Sequence, residues 1–217
     1  MIKIVSWNVR HGLGQDGIVD IKRIGEKLKS LNADIIALQE IDVNSKRSNR
    51  VNQPKVLSEI LGYDYHFTPF TATGTSDYGL LTLSRLPMEK KRDLNIADLK
   101  CNNAAQLITF TQRQARFDLV NLHAPWQYNK KYWKNFYKDF DFTECILCGD
   151  FNLLDENPAI IELKEKYQSI NESSTYCQGG IYDYTFLPKK PYRMLSQIVI
   201  DSDLSDHSML VTTFDLW

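Results

Sequence analysis

Five apolar runs of strand length in this chain finish or begin in carboxylates, amides and imidazoles. "SWNVRHG" closes its strand with Asn8, Arg10 and His11, and "ALQEID" with Gln39, Glu40 and Asp42. "VNLHAPW" ends in Asn121 and His123, "CILCGDFN" in Asp150 and Asn152, and Asp206 and His207 stand just before the last strand in "LSDHSML". A core does not tolerate such groups unpaired. Alternate residues of an extended chain share a face, so Asn121 pairs with His123, and Asp150 with Asn152 across Phe151. Taken alone, Asp-x-Asn reads equally well as a helix cap. Five coincidences of this kind favour convergence on one polar pocket of carboxylate and amide oxygens and imidazole nitrogens. Oxygen-rich pockets suit a hard divalent cation.

The remainder of the chain can house such a pocket. "IKIVSWNV", "IIALQE", "GLLTLSR", "QLITFTQ", "RFDLVNLH" and "SMLVTTFDL" read as strands. In "DIKRIGEKLKSLN", Ile21, Ile24, Leu28 and Leu31 recur at helical spacing behind Asp20 as N-cap. "QPKVLSEILG" predicts a helix with Pro54 in its first turn and Gly62 closing it. "NKKYWKNFYKDF" predicts another, with Tyr132, Phe136 and Phe140 on one stripe, and Pro158 opens "PAIIELKEKY". No repeat or linker interrupts the pattern, so one mixed α/β domain over residues 1–217 is expected. A chain of 217 residues with 43% hydrophobic and 24% charged residues can bury a sizeable core. A net charge of -1 is not that of a dedicated nucleic-acid coat. The apolar runs are too short to span a bilayer, and a strand starts at Ile2 with no leader before it. No membrane insertion and a cytoplasmic location are therefore expected. Cys145-x-x-Cys148 has metal or redox spacing, but it lies inside an apolar strand with no second pair, which favours small buried thiols.

In order along the chain, "WNVRHG", "LQEID", "YGLLTLSRLP", "VNLH", "GDFN" and "SDHSML" resemble the endonuclease/exonuclease/phosphatase superfamily, the DNase-I-like metal-dependent phosphoesterases. The resemblance runs from Ile2 to about Phe214. It implies an α/β fold, a DNase-I-like four-layer sandwich of two packed mixed β-sheets flanked by helices, with the site where strands end. It implies Mg²⁺ or Mn²⁺, with Glu40 as principal carboxylate and Asn8 and Asp206 assisting. Asp150 would align or deprotonate the attacking water, Asn152 would hold water and phosphate, and His207 and His123 would face the scissile phosphate. Arg10, Tyr78 and Asn121 are candidate substrate contacts. Arg10 reads also as a solvated strand end, and Tyr78 as a loop anchor. His11 and Asp77 read better as turn residues, and His66 as packing.

One stretch departs from the family pattern. Before the final "SDH", family members carry a strand resembling "RIDYIFVS", whose aspartate holds the histidine. Set against "PYRMLSQIVIDSDLSDH", Arg193-Met194 match its start and Leu195 falls at the aspartate. The expectation is that the strand orienting His207 is missing, with Asp183, Asp201 or Asp203 as substitutes. Three functions follow: a phosphodiesterase acting on DNA or RNA; a phosphatase or phosphodiesterase on a small phosphoester or phospholipid headgroup; and a catalytically impaired binding module. The intact metal and water positions favour an enzyme, and no obligate protein partner is evident.

Overall fold

The computed structural model describes residues 1–70, 76–94, 104–126, 133 and 142–216. One sheet contains β1 (Ile2–Asn8), β2 (Ile35–Val43), β3 (Asp64–Pro69), β4 (Asp77–Ser84), β11 (Tyr192–Ile200) and β12 (Met209–Leu216), ordered β11-β12-β1-β2-β4-β3. The other contains β5 (Met88–Leu94), β6 (Ala104–Gln112), β7 (Ala115–His123), β8 (Ile146–Asp150), β9 (Tyr167–Gln168) and β10 (Asp183–Pro188), ordered β5-β6-β7-β8-β10-β9. Each sheet has one parallel pair at its centre, β1 with β2 and β7 with β8. The carboxyl ends of both pairs meet at one edge of the sandwich, where open α/β sheets also tend to place ligands.

Helix α1 (Ile21–Leu31) is capped by the Asp20 side chain, which accepts from the Lys22 amide, and α2 (Gln53–Leu61) is closed by Gly62 at φ 70°. Both helices cover the outer face of the first sheet, where Ile24, Leu28 and Leu57 pack on Val5, Trp7 and Leu38. Helix α3 (Pro158–Lys166), capped by Asn157, packs Ile160 and Leu163 on Leu147, Phe151 and Phe186 of the second sheet. Between the sheets lie Ile2, Ile4, Ile35, Phe110, Leu119, Ile146 and Phe214. The order is helix, sheet, sheet, helix. Fully buried rings such as Phe110 and Phe214 contribute roughly 1.5–3 kcal/mol each. The helix expected over "NKKYWKNFYKDF" lies outside the described residues except for Trp133, as does Cys101.

The inner faces of three central strands change character along their length. β1 presents Ile2, Ile4, Ser6 and Asn8 inward; β7 presents Phe117, Leu119, Asn121 and His123; β8 presents Ile146, Cys148 and Asp150. Each runs from apolar core to a strand-end functional group, through a polar layer at Ser6 in β1 and Asn121 in β7. Cys148 is a buried thiol between the sheets, and Cys145 is buried with the cluster beneath α3. Among the described residues, no helix is long and apolar enough to cross a membrane.

Candidate active site

Strand register sets the floor of the site. On the second sheet, Asp150 lies opposite His123 on one side and Asp183 on the other. Gly149 permits this arrangement, because a Cβ there would sit 1.9 Å from the Leu122 carbonyl oxygen, and its φ is 139°. Phe151 then turns outward, fully buried and stacked near Trp133 at 5.9 Å, while Asn152 adopts φ 51°. On the first sheet, simple alternation would send Glu40 to the outer face with Leu38. A bulge between Leu38 and Ile41, with Glu40 at φ 63°, re-aims it into the cleft.

The resulting cleft is about 380 Å³ and is lined by Asn8, Glu40, Tyr78, His123, Asp150, Asn152, Asp206 and His207, with Pro125, Trp126 and Tyr176 at its side. The Asn8 amide nitrogen bridges two carboxylates, donating to Glu40 Oε1 at 3.2 Å and Asp150 Oδ2 at 3.0 Å. Its oxygen accepts from the Arg10 amide at 3.1 Å, so here Asn8 orients the acids. His123 Nε2 stands 3.5 Å from Glu40 Oε1 and 3.7 Å from Asp150 Oδ2. Burial alone would raise the Glu40 carboxyl. The hydrogen bond and charge of His123, with hydrogen bonds from Tyr78 and Asn8, hold it down to about 2. Asp150 Oδ1 accepts from the Asn152 amide at 2.9 Å, and Asn152 Nδ2 donates to the Ala124 carbonyl at 2.8 Å.

His207 is oriented after all. Its Nδ1 lies 2.8 Å from Asp183 Oδ2, leaving Nε2 facing Asp150 Oδ2 at 3.8 Å. The expectation of a missing strand is corrected here. The aspartate that holds the histidine is carried by "DYTF" at the start of β10, and Leu195 belongs to the following strand, β11. Trp7 Nε1 donates to the His207 carbonyl at 2.8 Å, which ties the loop to β1. Burial disfavours the His207 cation, but the charges of Asp183 and Asp150 outweigh it and push its pKa up to about 10.

Other expected residues fall in different places. Asp206 lines the rim and pairs with Arg10 Nε at 3.4 Å. Tyr78 hydrogen-bonds Glu40 and lies under the Arg47 guanidinium, 4.4 Å from its ring centroid. Arg47 also grips the buried Asp42 through Nε and Nη2, at 2.8 and 2.7 Å. Asn121 is corrected as a substrate contact. It shares a face with His123 but sits two residues deeper, fully buried between the sheets. There it accepts from Gln39 Nε2 at 2.8 Å and donates to the Leu38 and Leu81 carbonyls. His11 sits in a left-handed turn at φ 46°, its pKa lowered by burial and by Arg47. His66 pairs with Asp93 at 2.8 Å, on strands β3 and β5. The sequence reading did not single out Arg47 and Tyr176; only spatial proximity reveals them.

Two donor sets could hold a cation. Ligand atoms of Asp150, Asp183 and His207 lie within 4.8 Å of one another, but a metal there would compete with the buried His207–Asp183 pair. Glu40 and Asp150, linked through Asn8, offer carboxylate oxygens without breaking that pair, and fit a hard divalent ion better.

The chain matches the Endonuclease/Exonuclease/phosphatase family over residues 5–207. No curated protein matches it in sequence. Its fold is shared with an endonuclease/exonuclease/phosphatase family protein from Leptotrichia buccalis C-1013-b at TM-score 0.80 and 17% identity, covering 100% of both chains. It is also shared with the human Nocturnin catalytic domain with bound sulfate, at TM-score 0.75 and 19% identity, over 100% of this chain and 93% of that one. ANGEL2, described as a 2',3'-cyclic phosphatase and solved with adenosine-2',3'-vanadate, is similar at TM-score 0.73 and 14% identity, over 99% and 95% of the two chains. With two stacked sheets, their parallel pairs and the ordered strand-end motifs in place, the chain belongs to the endonuclease/exonuclease/phosphatase family.

Proposed function

We propose that this protein is a divalent-metal-dependent phosphoesterase that hydrolyses a phosphodiester, with Mg²⁺ or Mn²⁺ held chiefly by Glu40. The observation that carries the reading is that Asp150 Oδ2 stands 3.7 Å from His123 Nε2 and 3.8 Å from His207 Nε2, beside Glu40, with each group delivered by a different strand or loop. A divalent ion at Glu40 would supply charge neutralisation at the phosphoryl oxygens. The chain's own residues do the rest. Asp150, fixed through Asn8 and the Asn152 amide, aligns the attacking water and accepts its proton. His207, kept cationic by Asp183, presents Nε2–H to the charge that develops on the phosphoryl group. His123 offers a second donor on the Glu40 side, and Asp206 holds Arg10 at the rim. The Asp183 pairing supports an enzyme over an impaired binding module.

A nucleotide-type substrate, in DNA, RNA or a smaller ester, accords with the ordered motifs, and the net charge of -1 favours the smaller end of that range. Initial rates on a panel of DNA, RNA, lipid and small phosphoesters, with Mn²⁺ and with EDTA, test the proposal. EDTA-sensitive turnover is expected on a diester. Folded, metal-loaded protein with no turnover on the whole panel would refute it, and turnover that survives EDTA would reject the metal.

A further inference from the structure

Beside the phosphate cleft, the chain exposes a row of aromatic rings that the hydrolytic groups do not use. Trp126 is 68% exposed and stacks on Tyr182, with centroids 6.1 Å apart and planes at 23°. Tyr182 meets Tyr176 edge-on at 5.7 Å, and Tyr176 lies 5.0 Å from the His207 ring. The rings therefore run from open surface to the histidine that faces the phosphate. A single exposed apolar side chain needs no explanation, but an exposed indole continuous with a catalytic cleft does.

Each ring is fastened to the site by the backbone. Trp126 lies three residues beyond His123. Tyr182 immediately precedes Asp183, and its carbonyl accepts from the Phe151 amide at 2.9 Å. Tyr176 bridges His207 as an isolated β-pair. Trp126 and Tyr182 also wall a neighbouring recess of about 440 Å³, shared with Asn152, Leu153, Leu154 and Pro158. Asn152 and Trp126 line both spaces, so the recess adjoins the phosphate cleft.

We propose that Trp126 and Tyr182 form a stacking platform for one nucleobase, that of the nucleotide whose phosphate occupies the cleft. The assignment rests on the phosphoesterase reading and adds the substrate class to it. A planar π-face is what a base, of any sequence, shares, and apolar lining with few charges suits its face better than a sugar or a headgroup. The recess holds a single charged side chain, Glu156, among its lining residues, so attraction there comes from stacking and not from ion pairing.

The test needs no turnover. Binding of AMP and of ribose 5-phosphate is measured by calorimetry in EDTA. Both carry the same phosphate, so the acidic floor acts on both alike and their ratio isolates the base. AMP is expected to bind about 5- to 150-fold tighter, the range of one base stacked on an aromatic side chain. Trp126→Ala should bring the ratio close to one, and Trp126→Phe should keep part of it. Trp126→Leu provides the same test should the alanine variant melt early. A dinucleotide should gain no further Trp126-dependent affinity. Equal affinities for the two probes in the unaltered protein, or a ratio that survives loss of the ring, would overturn the platform. A Trp126-dependent gain from the second base would overturn the one-base assignment. A base-dependent ratio in a protein with no turnover on any phosphoester would leave the platform standing and sink the hydrolase reading alone.

Discussion

Replacing Asp183 by Asn keeps the shape of the group behind His207 and removes its charge. His207 is 9% exposed and its Nδ1 lies 2.8 Å from Asp183 Oδ2, so solvent screens the pair little. Against its burial, the charges of Asp183, Asp150 and Asp206 push its pKa up from 6.5 to about 10. Removing one partner of a buried pair costs roughly 3–5 kcal/mol. A histidine whose folded pKa lies above its unfolded one contributes this stability in full below pH 6.5 and loses it as pH rises through about 10. Urea melts of both proteins in EDTA, at about pH 6 and about pH 9.5, should show a gap of about 3–5 kcal/mol that narrows sharply at the higher pH. In the metal-loaded protein, kcat should fall by roughly 100- to 10,000-fold. The variant's rate should also gain a dependence on pH near the ordinary histidine range, which the unaltered protein lacks. A stability gap equal at both pH values would show that Asp183 supports the loop by packing and not by charge.

Four further outcomes follow from the same geometry. Glu40→Gln should weaken Mn²⁺ binding, read by calorimetry, by about 10-fold or more, and it should lower the melting temperature while the fold stays intact, because the carboxylate that His123, Tyr78 and Asn8 hold ionised is lost. Gly149→Ala should destabilise the chain by about 3 kcal/mol or more, because φ 139° and a Cβ 1.9 Å from the Leu122 carbonyl leave no relaxed conformation; a melt within about 1 kcal/mol of the parent would refute this. Asp150→Asn should abolish roughly 100- to 10,000-fold of turnover with little loss of stability. Asp150→Ala should lose the same turnover and also about 0.5–2 kcal/mol, because the Asn152 amide loses its acceptor. A variant that melts early yet turns over normally would assign Asp150 to the turn alone.

Much of the sandwich was legible because its central strands and helices obey local rules. The apolar runs of β1, β2, β6, β7, β8 and β12 are bounded by turn or polar residues, and Asp20, Asn52, Asn157 and Gly62 act at helix ends as their chemistry dictates. The strands that went unread have other constraints. β5, "MEKKRDL", is charged because it lies at a sheet edge, where charge discourages further pairing. β10 begins with a buried aspartate, and its "DYTF" resembles the family strand better than the segment around Arg193 does. The match to Arg193-Met194 misled because it weighed two residues at the start of a strand over the aspartate itself. Only the pairing of β10 with β8, which puts Asp183 opposite Asp150, decides between them.

The site residues were legible in kind and less so in aim, and the reason lies in the backbone. Period-two alternation correctly sends Asn8, His123 and Asp150 inward, and it also sends Asn121 and Gln39 inward, where Gln39 Nε2 donates to Asn121 Oδ1 at 2.8 Å beneath the site. The same rule turns Glu40 the wrong way. Glu40 at φ 63° and Asn152 at φ 51° occupy conformations that an ordinary side chain seldom adopts. Strain of this kind persists only where surrounding structure holds it, and here the holders are visible: Asn8, Tyr78 and His123 around Glu40, and Asp150 and the Ala124 carbonyl around Asn152. Hence the residues that escape periodicity are those whose side chains must leave the sheet to face the cleft. A strand can deliver a group to the edge of a sandwich by pattern alone, but turning that group onto a shared phosphate requires a bulge or a left-handed residue, and neither is written in the alternation of apolar and polar positions.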